Sequence, residues 1–178
     1  PNFLPSMTGF IQVIYNWQFV HAIDFWSLVL SASCDKTKAQ PGKTNESPLS
    51  PLLYPLIQVT LGPLGKCPLL LADFGVNLYS VDRLVPTSRY YPLRFHLVRS
   101  LLRIVQRTGT YIPLSAPLFE VLSSPDLSRK SKPSTLKPLD WEYYLRCPTA
   151  YQKTRVYADG LADELAYLLT EYYSALSK

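Results

Sequence analysis

Apolar side chains in this chain recur at steps of three and four residues, and polar stretches rich in proline separate the runs; the pattern predicts helices joined by surface loops. The clearest run spans 92–108. There Tyr91, Leu93, Phe95, Val98, Leu101, Leu102, Ile104 and Val105 fall in one broad sector of a helical wheel. Pro92 suits a first helical turn, where its missing N–H costs nothing, and Gly109 suits a left-handed stop.

A longer run starts near Ser6 or Thr8 and fades after Ser33, and its apolar residues from Ile14 to Leu30 wrap most of the circumference. A helix that apolar needs neighbours on more than one side, as in a stack of helical hairpins. Pro51 to Gly62 predicts a second, fully buried helix, and Pro113 to Leu122 a short one. Thr149 to Leu176 predicts the last helix, with Thr149 as N-cap and Leu161, Leu165, Leu168, Tyr172 and Leu176 as its stripe. Gly160 is a candidate kink in it. The segments 35–50, 63–82 and 123–138 follow no helical period and read as loops or insert. The expected fold is all-α, one segment of a helical-repeat solenoid of the HEAT or armadillo kind across 1–178. Its expected core contains Trp17, Trp26, Phe95, Leu101, Leu165 and Leu168.

Charge changes the picture by being local. Residues 1–82 hold four lysines against five acids, net −1; residues 83–139 hold ten Lys plus Arg against two acids, net +8; residues 140–178 hold four against six, net −2. A concentrated positive field points to an anionic partner, RNA, DNA or an acidic protein. Arg99, Arg103 and Arg107 recur at i, i+4, i+8 opposite the apolar sector, so they form one ridge, either a solvated face or a row meeting successive phosphates. On the second view, replacing all three with Glu weakens partner binding and leaves the fold intact. Lys130 and Lys132 in the loop 123–138 extend the same patch. Arg94 instead falls inside the apolar sector near the helix start and should either snorkel or pair with a buried acceptor such as a helix C-terminal carbonyl.

Candidate chemistry is sparse. Nucleotide-binding glycine loops, a serine nucleophile elbow, HExxH and positioned carboxylate pairs are absent from the sequence. Cys34, Cys67 and Cys147 lie far apart with only two histidines, which predicts neither a zinc site nor a disulfide framework and favours buried free thiols. His21 with Asp24 reads as a structural hydrogen-bonded pair, and an enzyme is left only residues distant in sequence, such as Cys34 with His96. The tyrosines from Tyr143 to Tyr173 suit a core margin or a protein interface.

Longer words are more specific. YNWQFVHAIDFWSLVLS at 15–31, LLYPLIQV at 52–59, RLVPTSRYYPLRFHLVRSL at 83–101, YIPLSAPLFEVL at 111–122, KPLDWEYYLRCPTAY at 137–151 and KTRVYADGLADEL at 153–165 closely resemble the core of the nucleolar complex protein 2 family. The resemblance implies an α-helical repeat protein of the nucleolus and nucleoplasm, paired with nucleolar complex protein 1 or 3. It implies a role in assembly and export of large (60S) ribosomal subunit precursors, and a secondary role as a chromatin-associated corepressor or adaptor. No enzymatic activity, metal or cofactor is implied. The family pattern passes almost directly from Gly62 to Arg83, so residues 63–82 read as an insert. Gly65-Lys66 can be encoded with a splice-donor-like string, which makes a retained intron the expectation; a spliced transcript carrying those codons refutes it.

Overall fold

The computed structural model describes residues 14–35, 47–64 and 87–177. Among the described residues six α-helices follow in order: α1 (Trp17–Ser33), α2 (Leu53–Leu64), α3 (Tyr91–Thr108), α4 (Ser115–Leu122), the single turn α5 (Pro125–Ser128) and α6 (Arg155–Leu176). Among the described residues the β contact is one isolated bridge, Lys132 to Thr154. The chain is all-α.

α3 is the hub. Gly109 closes it at φ 60°, the left-handed stop its sequence predicts, and the Gly109 N–H donates to the Val105 carbonyl. Its other end lacks a side-chain cap, and an irregular strap, residues 139–147, supplies partners instead. The Leu93 N–H donates to the Leu145 carbonyl at 3.1 Å, satisfying a first-turn donor that has no intrahelical acceptor. Thirteen of the 18 residues of α3 are buried, more than one apolar sector supplies, because helices flank it on several sides.

The side-chain pairs fix the directions. Trp17 meets His96, Asp24 meets Ser100 and Arg103, and Asp35 meets Arg107, so α1 and α3 run the same way. Arg99 meets Glu164 and Gln106 meets Glu171, so α6 runs the same way on the other flank. α4 turns back along α3, bringing Pro117 and Glu120 to Arg94. α2 also runs against its neighbours, because Pro63 near its end shares a small cavity with Tyr15, Tyr90 and Leu93 at the starts of α1 and α3.

Phe95, Leu101, Leu165 and Leu168 lie in the core as expected. Phe95 contacts the Trp141 ring edge to face at 5.4 Å, and Trp141 in turn packs on Tyr157 at 5.5 Å. Trp17 and Trp26 do not share that core: they are 37% and 43% exposed. Periodicity marks them as apolar, but they flank the face that α1 buries through Val20, Ile23, Ser27 and Leu30, and Trp17 touches only His96 of α3 at its edge.

Asn16 caps α1 by accepting from the Phe19 N–H, and the helix start expected near Ser6 or Thr8 lies outside the described residues. Further expectations need correction. α2 buries Ile57, Thr60 and Leu64, whereas Tyr54 and Val59 face outward, so it is half-buried. Thr149 opens only a 3-10 turn; Lys153 then adopts φ 62° and Thr154 caps α6 by accepting from the Tyr157 N–H. Gly160 does not interrupt α6, and Leu176 is exposed. A Cβ at Gly160 would stand 3.3 Å from the Trp141 indole nitrogen, so this glycine serves close packing. Replacing Thr154 with Ala should cost about 1 kcal/mol in chemical denaturation, the usual value of an N-cap.

Candidate interaction surface

The i, i+4, i+8 spacing places Arg99, Arg103 and Arg107 on one ridge, but that ridge faces α1 and α6. Arg99 makes a short hydrogen bond to the Glu164 carboxylate. Arg103 Nη1 donates to Asp24 Oδ1 and to Ser27 Oγ, both at 2.7 Å. Arg107 lies 3.5 Å from the buried carboxylate of Asp35 while most of its own side chain stays exposed. The free phosphate-facing row expected from the sequence is therefore a set of clamps between helices. The wheel gives an angle around one helix and says nothing about which neighbours stand there.

Electrostatics agree with an interior role. Burial raises the Glu164 carboxyl above its ordinary value, and the Arg99 charge and hydrogen bond pull it back down. Arg94, 7% exposed, donates to the Pro117 carbonyl and to Glu120 Oε2, both at 3.0 Å. Of its two options, snorkelling or a buried acceptor, it takes the second, with a charge partner added. Asp24 is held by Arg103 and Ser100, and His21 stacks on Trp17, so the expected His21–Asp24 pair is replaced.

The residues considered for catalysis are kept apart. His96 touches Trp17 at the start of α1, whereas Cys34 caps its far end, about 25 Å along the helix. Burial lowers the His96 pKa, opposed by the Tyr144 carbonyl 3.3 Å from Nε2. Cys147 is fully buried, and burial pushes its thiol up to about 11; the neighbouring Tyr157 phenol is raised as well. Cys34 is only half-buried, which corrects the expectation for that thiol, and Cys67 lies outside the described residues. Among the described residues, no group of three His, Cys, Asp or Glu is placed to hold a metal ion. No described helix is long and apolar enough to cross a membrane.

A different cluster of cations is open to solvent. The bridge at Lys132 is closed by two backbone bonds of 2.8 Å, Lys132 N–H to the Lys153 carbonyl and Arg155 N–H to the Lys132 carbonyl. It brings the loop carrying Arg129, Lys130 and Lys132 against Lys153 and Arg155 at the start of α6. All five are exposed, and among the described residues only Arg155 makes an ion pair, 3.5 Å from the exposed Asp159. The N-terminal end of the 22-residue α6 adds a partial positive charge. Lys130 and Lys132 were legible as candidates. Lys153 and Arg155 were not, because they lie in a segment whose summed charge is negative. A count over neighbours in space would have found them.

Exposed apolar residues form a second feature. Phe25, Trp26 and Leu28 on α1 are exposed, and Trp17, also partly exposed, touches His96 of α3 with one edge. Phe25 and Trp26 pack ring on ring at 5.7 Å, a small exposed aromatic pair.

Comparison with known proteins bears on both surfaces. The sequence profile of the Noc2p family matches residues 8–69 and 77–178, leaving a gap of seven residues, 70–76, inside the expected insert 63–82, which from residue 65 on lies outside the described residues. A NOC2 family protein of Schizosaccharomyces pombe is 41% identical over 160 residues, which cover 90% of this chain and 20% of that protein. Nucleolar complex protein 2 of Drosophila melanogaster is 30% identical over 161 residues, covering 90% and 17%. Nucleolar complex-associated protein 2 of Arabidopsis thaliana is 30% identical over 164 residues, covering 92% and 18%. The chain thus spans about a fifth of the length of these relatives. With the profile running through α1, α2, α3 and α6 alike, the chain belongs to the Noc2p family.

Proposed function

We propose that this chain is a helical-repeat segment of a non-catalytic ribosome-biogenesis factor of the nucleolus and nucleoplasm. It acts as a scaffold in a heterodimer with nucleolar complex protein 1 or 3, and it accompanies precursors of the 60S subunit through assembly and export. Family membership supports the setting, since two of its relatives carry nucleolar complex names. The alternating helix directions support the repeat: α1, α3 and α6 run one way and α2 and α4 the other, the order expected of stacked hairpins.

The single observation that carries the molecular reading is the cluster of Arg129, Lys130, Lys132, Lys153 and Arg155, five exposed cations with one ion pair among them. Such a surface meets RNA phosphates through charge, without reading sequence. Arg99, Arg103 and Arg107 support it only indirectly, by holding α3 between its flanking helices.

Reversing Lys130 and Lys132 to Glu should weaken binding of single-stranded RNA and lower its salt slope by about 1.4, from roughly 0.7 for each phosphate no longer neutralised. Circular dichroism should be unchanged, because both side chains are exposed. In cells, the tagged full-length protein should sediment with large-subunit precursors, and the double variant should do so less. Exclusive association with chromatin would favour the corepressor or adaptor instead.

A further inference from the structure

We propose that the small cavity beside this cluster is a subsite for one backbone phosphate of RNA, with Asp126 accepting the hydrogen bond of the adjacent ribose 2′-hydroxyl. The inference rests on reading the cluster as an RNA surface and adds a ribose-selective contact to it. Arg89, Asp126, Cys147, Gln152, Lys153 and Tyr157 line the cavity, whose volume is about 60 Å³. That is room for about two waters, and so for the outer oxygens of one phosphate group but not for a nucleobase.

The chemistry of the lining matches that occupant. Arg89 Nε and Gln152 Nε2 are buried donors with no hydrogen-bond partner among the described residues. A buried donor left unpaired costs on the order of 1–3 kcal/mol, and two residues that line one cavity each carry such a donor, which favours an acceptor inside it. Arg89 and Lys153 bring two positive charges against the one carboxylate of Asp126, which favours an anion. The remaining walls are neutral, since burial keeps Cys147 and Tyr157 protonated.

Asp126 then sets the type of anion. A carboxylate beside a bound phosphate repels it unless the ligand offers a donor at the same place. An RNA backbone carries one, the 2′-hydroxyl, next to its phosphate; DNA carries none. The position is built from three parts of the chain: Arg89, whose carbonyl accepts from the Cys147 N–H at 2.6 Å, α5, and the turn that feeds α6.

Fluorescence anisotropy on the whole chain tests this with three probes of one sequence: single-stranded RNA, its DNA counterpart and its 2′-O-methyl form. The unsubstituted chain should bind RNA about tenfold tighter than either analogue, the value of one hydrogen bond to a charged group. Asp126→Ala should erase that preference, and Gln152→Leu should weaken RNA binding several-fold, both with unchanged circular dichroism and melting temperature. Equal affinity of the unsubstituted chain for RNA and DNA would overturn the subsite, leaving a cavity that holds water only. So would an Asp126→Ala gain that is the same for all three probes. In either case the cluster reading survives if Lys130→Glu with Lys132→Glu still weakens every probe. Absence of binding to any probe overturns both.

Discussion

Phe95→Ala is expected to destabilise the fold by about 3–5 kcal/mol, the range for emptying a buried phenylalanine site. Phe95 is fully buried at the point where α3 meets the strap, and its ring is an edge-to-face partner of Trp141. Truncation removes that partner and opens a void that little can fill. Trp141 cannot follow inward, because Tyr157 packs on it and Gly160 already lets its indole lie close against α6. With domain stabilities commonly near 5–15 kcal/mol, such a loss is a large share of the total. Urea denaturation followed by helical ellipticity measures it directly. Phe95→Leu should cost far less, about 1.5 kcal/mol or under, because most of the volume is kept. Equal effects of the two variants would show that the strap does not hold the helix as described.

The second large effect is expected from Arg99→Glu, Arg103→Glu and Arg107→Glu combined. From the sequence this triple variant should leave the fold intact and weaken binding; the structure reverses the expectation. Each new carboxylate would face an acid, Glu164, Asp24 or Asp35. Arg99 with Glu164 dominates, being the most enclosed of the three pairs, while the Arg103 and Arg107 pairs are partly exposed and screened. The combined cost should be on the order of 3 kcal/mol, below that of three fully buried pairs. Restoring the opposite charge with Glu164→Arg in the Arg99→Glu background should recover part of the loss. A triple variant with unchanged stability would return the ridge to solvent.

What was legible follows from how local each signal is. α3 was readable end to end because one period, a proline and a glycine agree over a single continuous helix. Arg94 was readable for the same reason, since a cation inside an apolar sector has few options. Trp17 and Trp26 were misplaced because hydrophobicity states that a side chain can be covered without naming its cover. The start of α6 was misplaced because Thr149 and Thr154 are equally good caps in sequence; the bridge at Lys132 selects the second. The same bridge moved the candidate site, joining a loop to residues that lie in an acidic stretch. No linear window contains that pairing.

The directions of α1, α3 and α6 carry a consequence for how the molecule comes together. Parallel neighbours cannot be joined by a tight turn, so the bonds between them link residues far apart along the chain: Arg103 and Asp24 are 79 positions apart, Arg99 and Glu164 are 65. Loop-closure entropy must be overcome before those bonds form, which slows an all-helical chain relative to a simple up-and-down bundle. On the ribosome, the central helix emerges with one flank bare and waits for α6. Until then the side of α3 that α6 covers is open to chaperones or to other chains.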